Sequence, residues 1–184
     1  MPRPTPTRPP ALAILTTGGT FEKRYLDALG ELGFAGSCLE TLTRNARLAN
    51  RPRIEQVMLL DSLLMGDKER EVIVKRILKA KERHLVIVHG TDTMTSTALA
   101  IKTSLDKQLK KTVVLTGAMV PVAHQDSDGF FNLGLAVAAC QLAKPGVYIA
   151  MSGRIYEAGS VKKDRRKKLF LPTTSPYPGP AAKS

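Results

Sequence analysis

Three times along this chain a short aliphatic run stops at a loop of glycines and small hydroxyl residues. Residues 11–16 lead into Thr17-Gly18-Gly19-Thr20, residues 85–88 into His89-Gly90-Thr91-Asp92-Thr93, and residues 112–115 into Thr116-Gly117-Ala118-Met119. An unbroken apolar run of this length marks a strand buried on both faces, and such strands occur where helices cover a parallel sheet on both sides. Helical spacing over residues 93–105 after the second loop fits that arrangement. The pattern predicts an α/β fold: a mainly parallel sheet with helices on both faces, a Rossmann-like three-layer single domain. Ligands of such sheets bind outside the carboxyl ends of the strands, where all three loops would fall.

The remaining segments fill in this plan. Residues 54–60 read as a second buried strand, and Val72, Ile73, Ile77 and Leu78 recur at helical spacing over 67–82, with Asp67 as the N-cap. Residues 130–142 read as a buried alanine-rich helix and 146–151 as another strand, while 33–48 show no assignable pattern. Beyond Arg154 the periodicity dissolves into basic residues. Residues 1–10 are expected to be a flexible leader, 11–170 the folded domain, and 171–184 a mobile tail.

Composition removes several function classes. A chain of 184 residues has room for one core, and its 5% aromatic content, without tryptophan, offers neither a base-stacking platform nor a sugar cage. The net charge of +12 is concentrated at 102–111 and in the run 162–168. No nucleic-acid-binding signature accompanies that charge, so the run reads as a solvated segment and a nucleic-acid partner is not expected. Cys38 and Cys140 read as reduced thiols without a disulfide, and apolar stretches are far shorter than a membrane span, so a cytoplasmic protein with no membrane partner is expected. His89 reads as a packed, hydrogen-bonded residue; no ligand-spaced cluster accompanies it, and neither metal nor cofactor is expected.

The loops carry the chemistry. A threonine placed after two glycines, as Thr20 is, can attack an electrophilic carbon while bare backbone amides hold the developing oxyanion. By itself Gly-Gly-Thr equally describes a plain strand-to-loop turn. Lys23 lacks the spacing of a phosphate-binding loop, which disfavours nucleotides. Thr91 and Asp92 set a hydroxyl beside a carboxylate that can bind a substrate ammonium, although Asp92 is equally suited to cap the following helix.

Together, Thr17-Gly18-Gly19-Thr20, His89-Gly90-Thr91-Asp92-Thr93-Met94, Val113 to Met119 with Pro121, and Ser127-Asp128-Gly129 with Phe131-Asn132-Leu133 closely resemble the bacterial-type L-asparaginase family, including related glutaminases. The resemblance covers about residues 11–170, which corresponds to the family's N-terminal domain, and places the chain in a short, single-domain branch. It implies a threonine amidohydrolase converting L-asparagine, with L-glutamine as a candidate second substrate, to the acid and ammonia through an acyl-enzyme, without a cofactor. Thr20 would be the nucleophile, Thr91 would assist attack, Asp92 would bind the α-amino group, and Lys163 would hydrogen-bond that pair. Ser62 would hold the α-carboxylate, Gly19 and Ala118 would line the substrate, and Tyr25 would stand in for the mobile-loop tyrosine. Long family members add a glutamate from a neighbouring subunit's C-terminal domain, and many have a polar contact where this chain has Leu63. The family habit of completing sites across subunits implies a homodimer or larger homo-oligomer. The alternative is an amino-acid-binding or regulatory module with the same pocket and no turnover.

Overall fold

The computed structural model describes residues 12–105 and 110–173; the leader, residues 106–109 of the first basic cluster and everything from 174 on lie outside the described residues. The strands are β1 (Leu12–Gly18), β2 (Lys23–Leu26), β3 (Glu31–Phe34), β4 (Arg53–Leu60), β5 (His84–Val88), β6 (Thr112–Thr116), β7 (Gly146–Met151), β8 (Arg154–Glu157), β9 (Val161–Asp164) and β10 (Leu169–Pro172). The helices are α1 (Leu39–Asn45), α2 (Asp67–Lys79), α3 (Met94–Leu105) and α4 (Gly129–Leu142).

Six strands form one sheet in the order β4-β1-β5-β6-β7-β8, parallel except for β8. Side chains alternate across it. Ala13, Leu15, Leu85, Ile87, Val113 and Leu115 pack with Ile73 and Ile77 of α2 and Met94, Ala98 and Ile101 of α3. Ile14, Val86, Val88 and Val114 face the other way, onto Leu39 and Leu42 of α1 and Leu133, Ala136, Ala139 and Cys140 of α4. The three expected layers are therefore present. Each fully buried aliphatic side chain contributes roughly 1.5–3 kcal/mol of transfer free energy, which is why the central strands can be apolar on both faces.

The structure corrects several local expectations. Residues 54–60 lie in an edge strand, half-buried rather than buried, because β4 pairs only with β1. Helix α2 stops at Lys79, and only Ile73 and Ile77 enter the core; Val72 and Leu78 point to solvent, since i and i+4 share one face and their neighbours do not. Gly66, not Asp67, is the N-cap, and its N–H donates to the Glu69 carboxylate at 2.8 Å. Helix α4 is not buried all round: Phe130, Phe131 and Leu142 are exposed. The unassigned stretch 33–48 holds the end of the β2–β3 hairpin and α1. The segment after Arg154 is ordered into β8 and the β9–β10 hairpin, anchored by buried Phe170, whose carbonyl accepts from the Tyr156 hydroxyl at 2.8 Å. Both cysteines are free. Burial, and for Cys38 also the adjacent Glu22 carboxylate, pushes each thiol up to about 12, which keeps it protonated at neutral pH. No helix among the described residues is long and apolar enough to cross a membrane.

From β1 the chain crosses to β4 on one side and then returns past β1 to β5 on the other. The crevice between the carboxyl ends of β1 and β5 is thus the switch point of the sheet. It receives the first two glycine loops.

Candidate active site

Gly19 sits at φ 75°, ψ −178°, a backbone region open essentially to glycine alone. A Cβ there would stand 2.3 Å from the Gly90 Cα, so the loop after β1 and the loop after β5 touch backbone to backbone. Gly90 is equally confined, since its own Cβ would meet the Ser62 Oγ at 2.5 Å. Two glycines thereby draw together the loops carrying Thr20, Thr91-Asp92 and Ser62. The Gly19 N–H donates to the Leu60 carbonyl at 3.0 Å, tying the first loop to the end of β4 as well.

Thr20 is half-buried, and no hydrogen bond among the described residues engages its hydroxyl. Thr91 is buried, and its Oγ1 accepts from Lys163 Nζ at 2.7 Å; the same ammonium donates to Asp92 Oδ1 at 3.1 Å. Lys163 reaches this position through strand geometry. It pairs directly with Phe170 across the β9–β10 hairpin, and residues facing each other across such a pair share a face. Burying Phe170 turns Lys163 inward while the following turn leaves Arg165 to Lys168 in solvent. Charge alone reads 162–168 as solvated, and Lys163 is the exception that the family resemblance implied; no local periodicity reveals it.

Ser62 is 1% exposed, yet its Oγ has no partner among the described residues. A buried hydroxyl without a partner is costly unless something else satisfies it, which suits a group awaiting a ligand. Its carbonyl accepts from Thr93 Oγ1 at 2.8 Å, fixing the Ser62 turn to the start of α3. Ala118 is fully buried, and its loop is held by Asp128, which accepts from the N–H groups of Met119 (2.8 Å) and Val120 (3.0 Å). Asn132 completes that brace by donating to the Gly117 carbonyl at 3.0 Å and to Asp128 at 2.8 Å.

The structure therefore joins Thr91, Asp92 and Lys163 by hydrogen bonds and sets the Gly19 and Ser62 turns against the neighbouring Gly90, with Thr20 on the same loop as Gly19. It does not bring Tyr25 to Thr20. Tyr25 lies 59% exposed on β2, its hydroxyl beside Gly30 near the hairpin turn.

The reading of the sequence gave no role to several further contributors. Arg165 Nη2 lies 3.5 Å from Asp92 Oδ1. Lys23 joins the first loop to the Ser62 turn through a 2.7 Å ion pair with Asp61, which holds that carboxyl below its ordinary range. Asp128 and Asn132, one helical turn apart at the start of α4, could have been found by their i, i+4 spacing.

His89 is fully buried, with Nδ1 2.7 Å from the Gly90 carbonyl and Nε2 3.1 Å from Met65 Sδ, as expected for a packed histidine. Burial lowers its pKa from 6.5 to about 4. Because the folded state refuses the proton that the unfolded chain accepts, stability is fully present above pH 6.5 and declines as pH falls toward 4, by about 3 kcal/mol in all. Urea unfolding at pH 7 and 4.5 should show most of this loss, and the ring should give no NMR titration step near pH 6.5.

Fold and site together define an α/β protein with a hydroxyl–lysine–carboxylate cluster at its switch point. Residues 11–172 match the family profile described as "Asparaginase, N-terminal". The chain belongs to the asparaginase family. It is 30% identical over 159 residues to an L-asparaginase of Thermococcus kodakarensis, covering 83% of this chain and 47% of that one. With L-asparaginase 2 of Escherichia coli it shares 31% identity over 167 residues, 84% of this chain and 46% of the relative. The solved structure of a probable cytoplasmic L-asparaginase from Campylobacter jejuni superposes with a TM-score of 0.74 at 31% identity, over 88% of this chain and 52% of that one. The chain spans about half the length of these relatives.

Proposed function

We propose that the chain hydrolyses L-asparagine to L-aspartate and ammonia through Thr20. The observation that carries this reading is Lys163 Nζ bridging Thr91 Oγ1 and Asp92 Oδ1 beside the glycine contact that holds the Thr20 loop. Asp92 binds the substrate ammonium, and the unpartnered Ser62 hydroxyl takes the α-carboxylate. The side-chain carboxamide then lies at Thr20. Its oxygen attacks the amide carbon, and the carbonyl electrons move onto an oxyanion held by loop amides. Collapse expels the nitrogen as ammonia, the Thr91–Lys163 pair handing that nitrogen a proton and being restored by the one Thr20 loses. Water hydrolyses the resulting ester, releases aspartate and restores the hydroxyl. Gly19 and Ala118 line the pocket, and no cofactor takes part. L-Glutamine, one methylene longer, is a candidate second substrate.

Ammonia release from asparagine and glutamine by the purified protein tests this directly. Lys163→Ala should lower turnover at least ~10²-fold, because it removes the partner of both Thr91 and Asp92. Full activity in that variant would exclude Lys163 from the relay.

A second reading rests on Tyr25, whose hydroxyl stands at the hairpin and not on Thr20. A pocket without an activating phenol would bind aspartate without turning asparagine over. Thermal stabilisation by aspartate with no ammonia release would favour this binding module.

We also propose a cytoplasmic location, consistent with two free thiols, and self-association into a homodimer or larger assembly.

A further inference from the structure

We propose that Glu22 is a positioning residue for Thr20, pinning the turn that carries the nucleophile. The inference rests on the reaction proposed above and concerns a residue that reaction does not use. Thr20 and Glu22 are the first and last residues of one 3₁₀ turn, closed by the Glu22 N–H donating to the Gly19 carbonyl at 3.1 Å. The Thr20 hydroxyl holds no hydrogen bond among the described residues, so the backbone of that turn sets its place. Glu22 is 3% exposed, a depth at which a carboxylate is costly unless its oxygens are matched. Both are matched here. Oε1 accepts from the Ser37 hydroxyl at 2.8 Å, and Oε2 accepts from the Cys38 N–H at 2.9 Å and the Cys38 thiol at 3.1 Å. These donors sit at the start of α1, whose Leu39 and Leu42 are packed in the core. Glu22 therefore ties the turn to a fixed element.

The hairpin that follows makes such a tie necessary. Strands β2 and β3 form a separate sheet, paired with each other and with no strand of the main sheet. A two-stranded hairpin is marginally stable alone, and Tyr25, Leu29 and Leu32 on this one are exposed. Because β2 starts at Lys23, directly after the turn, any swing of the hairpin passes to Thr20 unless its stem is fixed. Glu22 precedes the hairpin while Ser37 and Cys38 follow it, so their bonds close the stem. The Lys23–Asp61 ion pair also reaches the stem, but its side chains are partly exposed, where such pairs contribute little. Hydrogen bonds to a buried carboxylate are the stronger kind.

Ammonia release and calorimetric binding of aspartate, measured on Glu22→Ala and Glu22→Gln of the full chain, are the test. In the proposed reaction aspartate is held by Asp92 and Ser62, which belong to other loops, whereas turnover needs Thr20 in place. Glu22→Ala should therefore lower kcat at least ~10-fold, the consequence of displacing a reacting atom, with aspartate affinity within about 2-fold of wild type. Glu22→Gln should restore most of the rate. Its amide oxygen can take both Cys38 donors and its NH₂ can donate to the Ser37 oxygen, so the tie survives without the charge. Parallel loss of rate and affinity would make Glu22 a general support of the fold and overturn the assignment. So would an unaltered kcat in the alanine variant, or a glutamine variant as slow as the alanine one. If Glu22→Ala does not fold, Ser37→Ala removes one donor and should slow turnover about 3-fold with aspartate affinity kept. Unchanged turnover there overturns the assignment too. A wild type that binds aspartate but releases no ammonia overturns the proposed reaction and Glu22 with it, while an active wild type indifferent to Glu22 overturns Glu22 alone.

Discussion

Replacing Thr20 with alanine is expected to reduce ammonia release by at least ~10³-fold while leaving the protein folded. The Thr20 hydroxyl holds no hydrogen bond among the described residues, so its removal orphans no buried partner. The side chain is also only half-buried, and an exchange of threonine for alanine on a 3₁₀ turn falls within the small end of mutational effects. Catalysis, in contrast, loses its only bond-forming atom under the proposed mechanism. Ammonia release measured beside thermal unfolding separates the two. An intact unfolding midpoint with abolished turnover is the expected result, and substantial turnover in the alanine variant would move the nucleophile elsewhere. Thr20→Ser, which keeps the oxygen, should recover part of the rate.

Gly19→Ala should be among the most damaging single-methyl changes near the site, for a reason independent of any reaction. The residue occupies a backbone region that costs an alanine about 1–3 kcal/mol on conformation alone. The added methyl would also overlap the Gly90 Cα at 2.3 Å, and Gly90 cannot retreat because Ser62 stands behind it. The two loops must therefore separate. A loss of about 3 kcal/mol or more of stability is expected, together with loss of aspartate-induced stabilisation. Gly134→Ala serves as the control, since its Cβ enters open space and alanine suits a helix interior. If Gly19→Ala left stability and ligand response untouched, the backbone contact between the first two loops would not be what shapes the site.

Much of this was legible before any coordinates. The apolar runs at β1, β5, β6 and β7 declare themselves because a strand buried on both faces needs no alternation to be seen. The hairpin β2–β3 was not legible. Its Leu29 and Leu32 are exposed and its strands are four residues long, so neither burial nor length marks it. The basic stretch after Arg154 hid three strands for a related reason: among its described residues only Tyr156, Ala158, Val161 and Phe170 enter the core, and the charges between them mask that spacing.

At the site, Thr20, Thr91 and Asp92 could be picked out from residue type at strand ends, because small hydroxyls and glycines there follow from the close backbone approach such a site demands. The sequence by itself determined the layered sheet and the side on which the three loops open, since both follow from the order and hydrophobic pattern of local segments. The family resemblance implied that Lys163 joins Thr91 and Asp92 and that Ser62 lies at the pocket; only the tertiary structure showed how Lys163 leaves a run of surface charges to do so, that the Ser62 hydroxyl is buried without a partner among the described residues, and that Tyr25 stands apart. Those outcomes depend on contacts between segments distant in the chain, chief among them Phe170 entering the core and turning its cross-strand neighbour inward.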